Sequence, residues 1–189
     1  DEVLYQLPGG KIEVGEDARP VIGLSDTVFD VNITPDRGYA LSARGLSREI
    51  ASALDLDFSD VAENPQLAGL SVTVPDVSGD LLSVELRPET KALRFGLRKV
   101  SGIDPTVESP WWLQRELMLC GQRPVNAATD VTNYLMLLLA QPMHAFDVDR
   151  ITGDLVVRCA AEGEKMTTLD DVQRELHTED VVICDDSGV

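Results

Sequence analysis

The stretch SPWWLQRELMLCGQRPVNAATDVTNYLMLLLAQPMHAFD, Ser109–Asp147, carries two marked helices and a rigid turn. Ser109 reads as a helix cap, Pro110 as the first helical residue and Gly121 as the residue just past the end. Leu113, Leu117 and Cys120 recur on one face of that helix. Val125–Thr129 reads as a connector, and a second helix is expected to open near Asp130. Gln141–Asp147 then forms a tight turn around Pro142 and His144.

On either side of this stretch the pattern is β. Leu155–Cys159 and Val181–Cys184 read as short strands, with a loop and hairpin over Gly163–Leu176. Before it, Leu70–Val74, Leu82–Leu86 and Arg94–Val100 alternate apolar and polar residues, as half-buried strands do. Earlier still, Val28–Ile33 reads as a strand and Pro35–Gly38 as a turn. Ser42 is placed to cap a helix, with Leu41 packing on Leu46 and a buried stripe of Leu46, Ile50 and Leu54. Helices and strands mix without regular βαβ alternation, so the expected class is α+β: mixed sheets with a sandwich-like core and flanking helices, preceded by a small helical and strand subdomain. The expected division is 1–24 as the tail of a preceding domain, 25–64 as the strand-turn-helix subdomain, and 65–189 as the main domain. The opening at Asp1, in mid-phrase, reads as a piece of something longer.

The 189 residues are 43% hydrophobic, ordinary for a chain with a core. No apolar run approaches the roughly 20 residues of a membrane span, and no secretory signal is visible. Cys120, Cys159 and Cys184 are odd in number and widely spaced, which suggests reduced, buried thiols in a cytoplasmic protein. No set of ligands converges around His144, Asp147 and Asp149, so no metal site is expected. The net charge of −17 disfavours a protein that wraps nucleic acid. The charge is uneven, however. Residues 85–124 hold seven basic residues against five acidic, while the remainder holds 9 against 28. A local basic face can touch RNA at one place; solvated or paired arginines explain it equally well. The helix after Pro35–Gly38 has nothing basic behind it, so DNA is not an expected partner.

Thr132 and Asn133 fall in the first turn of the helix expected from Asp130. Free N–H groups and the positive dipole end concentrate there and can hold an oxygen-bearing ligand; alternatively, Asp130 and Thr132 only satisfy the helix start. His144, held by Pro142 among apolar neighbours, can orient water or act as a base, or can bond a backbone carbonyl. His177 reads as a surface residue. Trp111 and Trp112 can stack a base but suit core and rim positions as well. No Walker A, GxGxxG or CxxC pattern is present, and nothing here would activate an amino acid with ATP.

The segments TPDRGYALS, RPVN, DVTNYLM, AQPMHAFDVD and GEKMTTLDDVQRELHTEDVVI, in this order, resemble the bacterial phenylalanyl-tRNA synthetase beta subunit over nearly the whole chain. The resemblance assigns 1–24 to the tail of a tRNA-binding OB-type domain and 65–189 to the B3/B4 editing domain, cut short at its C-terminus. It implies a beta subunit working with a catalytic alpha subunit as an α2β2 heterotetramer on tRNA(Phe), the whole enzyme using ATP and Mg2+ and this fragment no cofactor. It also implies hydrolysis of Tyr-tRNA(Phe). Thr132 and Asn133 would contact the aminoacyl group, His144 would position it and the attacking water, and Leu169 would line the side-chain pocket. The family's RPINNVVD reads RPVNAATD here, with Ala127 in place of an asparagine. The glycine-rich loop and the glutamate that reads the tyrosine hydroxyl in the family would follow Val189, so weak or absent deacylation is expected of the isolated fragment. The competing expectation is a non-catalytic RNA-binding or subunit-docking scaffold.

Overall fold

The computed structural model describes residues 13–23, 25–64, 76, 79, 82–168 and 170–188. It comprises two compact units, Asp1–Val74 with Asp104–Ala145, and Pro75–Ile103 with Phe146–Val189. Helices and small mixed sheets make the chain α+β.

In the first unit a single-turn helix, α1 (Ala18–Val21), is capped by the Asp17 carboxylate, which accepts the Arg19 N–H at 3.0 Å. Residues 25–34 form no strand, correcting the expectation for Val28–Ile33. Alternation needs a ladder partner and a surface to bury one face, and Val28, Phe29 and Val31 are exposed. A 3-10 turn over Pro35–Ala40 leads into α2 (Ala43–Leu54). Ser42 caps α2 as expected: its Oγ accepts the Gly45 N–H at 3.1 Å and donates to the Tyr39 carbonyl at 2.9 Å.

The predicted stripe on α2 is not buried. Ile50 is 48% exposed, Leu54 64% and Leu41 67%, whereas the buried residues of the helix are Gly45 and Ala51. The helix packs through its small residues because the backbone before it comes so close. A Cβ on Gly45 would lie 1.9 Å from the Tyr39 carbonyl oxygen.

Helix α3 (Trp111–Leu119) buries Leu113 and Leu117. Cys120 is exposed, against expectation, because the helix ends on it and turns away. Gly121, at φ 76°, closes the helix with two bonds: its N–H reaches the Met118 carbonyl at 3.0 Å, and the Gln122 N–H reaches Leu117 at 2.8 Å. Helix α4 (Ala127–Leu139) packs on α3 and α2. Two side chains of α3 fasten the N-terminal segment to it. The Trp111 indole donates to the Ile22 carbonyl at 3.0 Å, and Arg115 donates to the Gly23 carbonyl and pairs with Asp26 at 2.6 Å. These contacts place α3 and α4 in one compact unit with residues 25–64, so the units do not follow the sequence division at residue 65.

The described residues of the second unit form five strands: β1 (Val84–Leu86), β2 (Leu155–Cys159), β3 (Lys165–Thr167), β4 (Gln173–Glu175) and β5 (Val181–Cys184). One sheet has the order β1-β2-β5, with β1 parallel and β5 antiparallel to β2; Val157 lies opposite Leu86 on one side and Ile183 on the other. Leu155, Val157, Ala160, Val182 and Cys184 form its core. Strands β3 and β4 make the hairpin expected within Gly163–Leu176, pairing Met166 with Arg174. The candidate strand Leu70–Val74 lies outside the described residues, and Arg94–Val100 has no regular structure. A corner between β2 and β3 is tied by Arg158, whose guanidinium grips Glu164 through two bonds of 2.7 Å. No helix among the described residues is long and apolar enough to cross a membrane.

Candidate functional site

The RPVNAATD segment builds the start of α4. Asn126 is its cap, with the side-chain oxygen accepting the Thr129 N–H at 3.0 Å. Four residues on, Asp130 is 1% exposed. One carboxylate oxygen accepts the Ser109 hydroxyl at 2.6 Å and the other accepts the Val125 N–H at 2.8 Å. Ser109 therefore does not cap α3, which begins after Pro110; its hydroxyl is spent on α4, while its carbonyl accepts the Gln114 amide at 2.6 Å. This clamp joins the two helices across a dry contact, where a charge-assisted bond is short and strong. Ala127, the departure from the family pattern, is the first residue of α4.

Because α4 opens at Ala127, Thr132 and Asn133 are its sixth and seventh residues, not part of its first turn. Their N–H groups lie beyond the four that a helix start leaves open, so an oxygen ligand cannot use them as expected. Their side chains remain. Both residues are half-buried, and the Thr132 hydroxyl donates back to the Thr129 carbonyl at 2.7 Å, which leaves its oxygen able to accept. Tyr134 beside them meets Trp112 edge-on at 5.5 Å between ring centres, giving that tryptophan a packing role. Burial and the nearby Glu116 carboxylate raise the Tyr134 hydroxyl above its ordinary pKa, so it stays protonated near neutral pH.

The left-handed Ala140 (φ 60°) ends α4, and residues 141–147 run exposed and irregular, carrying His144 at the surface. Thr132, Asn133 and His144 belong to the same unit. Leu169 lies outside the described residues. His177 is exposed, as expected. The cavity of about 530 Å3 beside α2, lined by Val31, Ile33, Arg37, Ala40, Leu46 and Glu49 among others, includes none of the candidate residues. Among the described residues no group of three or more His, Cys, Asp or Glu could hold a metal ion. Asn126 was missed as a cap by the connector reading of Val125–Thr129, although an asparagine just before a helical run is the local signal that marks it. Asp130 as a buried clamp was not legible, since nothing local distinguishes it from a solvated first-turn carboxylate.

These features define an α+β domain whose signature residues brace a two-helix pair beside an exposed histidine segment. The sequence model of the B3/4 domain matches residues 91–189, and the chain belongs to that family. It is similar to proteins named phenylalanine--tRNA ligase beta subunit. The Corynebacterium glutamicum protein is 71% identical over 177 residues, covering 94% of this chain and 21% of the relative. The Corynebacterium efficiens protein is 64% identical, covering 98% and 22%. The Thermobifida fusca protein is 41% identical, covering 99% and 22%. The chain thus spans about a fifth of the length of these relatives.

Proposed function

We propose that this chain is part of the beta subunit of a phenylalanine-tRNA ligase and carries part of a site that hydrolyses Tyr-tRNA(Phe). One observation carries the reading: the B3/4 domain match over residues 91–189 contains Thr132, Asn133, His144 and Leu169. In this reading the Thr132 and Asn133 side chains hold the polar end of the aminoacyl group. His144 orients it and the attacking water, and Leu169 lines the side-chain pocket. Solvent exposure of His144 and the free acceptor capacity of the Thr132 hydroxyl suit these roles. Editing is the physical answer to a poor first sieve. A pocket for phenylalanine cannot strongly reject an analogue that only adds a hydroxyl, whereas a second site that bonds the hydroxyl can select it.

The partners in this reading are a catalytic alpha subunit, in an α2β2 assembly, and tRNA(Phe), in the cytoplasm. ATP and Mg2+ serve amino-acid activation elsewhere in that assembly. The test is deacylation of Tyr-tRNA(Phe) by the full-length heterotetramer with and without His144→Ala. The expected result is a fall of at least about 100-fold in hydrolysis, the lower range of general-base contributions, with phenylalanine activation unchanged. Unchanged hydrolysis would remove His144 from the site.

A further inference from the structure

Among the described residues, eight arginines hold carboxylates: Arg19, Arg37, Arg44, Arg87, Arg115, Arg150, Arg158 and Arg174. With 33 acidic residues available, pairing is the ordinary fate of a cation in this chain. Arg48, Arg123 and Lys165 stand singly in the sequence without an ion pair to a described residue, whereas Lys91, Arg94, Arg98 and Lys99 depart from pairing as a cluster. All four are exposed, and none pairs with a described residue. Residues 87–99 hold five basic residues and a single acid, Glu89, in a chain of net charge −17.

The backbone there has no regular structure and no ladder, and exposure alternates along it: Phe95 and Leu97 are half-buried, while Arg94, Gly96 and Arg98 are exposed. The outer side therefore carries two guanidinium groups with a bare backbone between them. A Cβ at Gly96 would meet nothing within 4 Å, so the approach to that backbone is open. Unpaired cations flanking open backbone suit a row of phosphates, which guanidinium groups grip through paired N–H donors. The surrounding acidic surface repels any polyanion that does not seat on this strip.

Resting on the tRNA-editing reading above, we infer that Lys91–Lys99 is a contact strip for the phosphate backbone of the tRNA. It positions the nucleic acid without reading its sequence. The test measures tRNA(Phe) binding by the full-length heterotetramer as a function of salt, for the wild type and for R94Q/R98Q/K99Q. K165Q serves as a control that removes another exposed cation of the same unit which forms no ion pair with a described residue. The triple variant is expected to bind about 10-fold or more weakly near 0.1 M salt. Its plot of log affinity against log salt is expected to flatten by roughly three, about one for each phosphate that no longer meets a cation. K165Q should leave both unchanged, and ATP-dependent phenylalanine activation, which needs no tRNA, should be equal in all three. If the wild type binds tRNA and the triple variant binds it with the same affinity and slope, the strip is refuted while the editing reading stands. An equal weakening in K165Q would make the effect one of net charge and refute the strip as well. A wild type that binds no tRNA would overturn the underlying reading and the strip with it.

Discussion

Asp130 is the residue on which the α3–α4 pairing turns. Its buried carboxylate satisfies the buried Ser109 hydroxyl with one oxygen and the part-buried Val125 N–H with the other. Asp130→Ala leaves the Ser109 hydroxyl buried without its partner, at a cost of about 1–3 kcal/mol, and removes the part-buried bond to the Val125 N–H as well. A destabilisation of about 3 kcal/mol is expected, read from urea unfolding; an unchanged midpoint would show that solvent reaches this contact. A second residue-scale device, Glu164, couples stability to pH. The Arg158 guanidinium, then the Ala161 N–H, lower its pKa from 4.5 to about 2. A lowered carboxyl stabilises the fold fully above the unfolded value and loses that contribution as pH falls through the folded one. Stability should therefore decline between about pH 4.5 and 2. Glu164→Gln should flatten that decline, measured as unfolding midpoint against pH; an acid limb of unaltered steepness would assign the effect to Asp17, Asp60 and Asp185, whose carboxyls are also held near 2. Residue chemistry was partly legible in the sequence: the cap Ser42 follows from local hydrogen-bonding rules, whereas Asn126, a cap of the same kind, was read as part of a connector. The side-chain partners of Asp130 and Glu164, Ser109 and Arg158, lie 21 and 6 residues away and depend on packing.

At the scale of elements, α2 shows why hydrophobic spacing alone mislocated a face. Leu46, Ile50 and Leu54 recur at helical intervals, yet the contact runs through Gly45 and Ala51, because a backbone can approach only where side chains are small. Helix propensity alone predicts that Gly45→Ala gains about 1 kcal/mol. The close approach to the Tyr39 carbonyl predicts the opposite sign, since the obstacle is backbone and cannot swing aside. A loss of about 2 kcal/mol or more is expected from forced overpacking. A thermal midpoint raised by the substitution would contradict the close approach. Strands followed the same logic. Leu155–Cys159 and Val181–Cys184 were readable end to end because each pairs in the sheet and buries one face. Val28–Ile33 and Arg94–Val100 alternate equally well but have no ladder, and alternation without a partner does not make a strand.

At the scale of the whole molecule, sequence order and compact units diverge. A change of composition near Asn64 suggested a boundary, and the family match covers residues 91–189, yet α3 and α4 share a unit with the segment before that boundary. No composition rule reports such a return of the chain, because the contacts responsible are single side chains: the Trp111 indole on Ile22, and Arg115 on Gly23 and Asp26. The β unit has no such dependence, since β1, β2 and β5 pair among themselves. A polypeptide starting at residue 65 therefore keeps strands β1 to β5 but strips α4 of α2 and leaves the α3 indole and guanidinium without their carbonyls. Stability need not be uniform along a chain, and amide exchange resolves it unit by unit. Protection at Leu113, Leu117 and Met136 should fall by at least about 10-fold in that truncation, the equivalent of one broken bond of roughly 1.4 kcal/mol. Protection at Val157 and Val182 should persist. Equal protection of the α3–α4 pair in both polypeptides would mean that the Asp130 clamp and the α3–α4 contact suffice without the N-terminal segment.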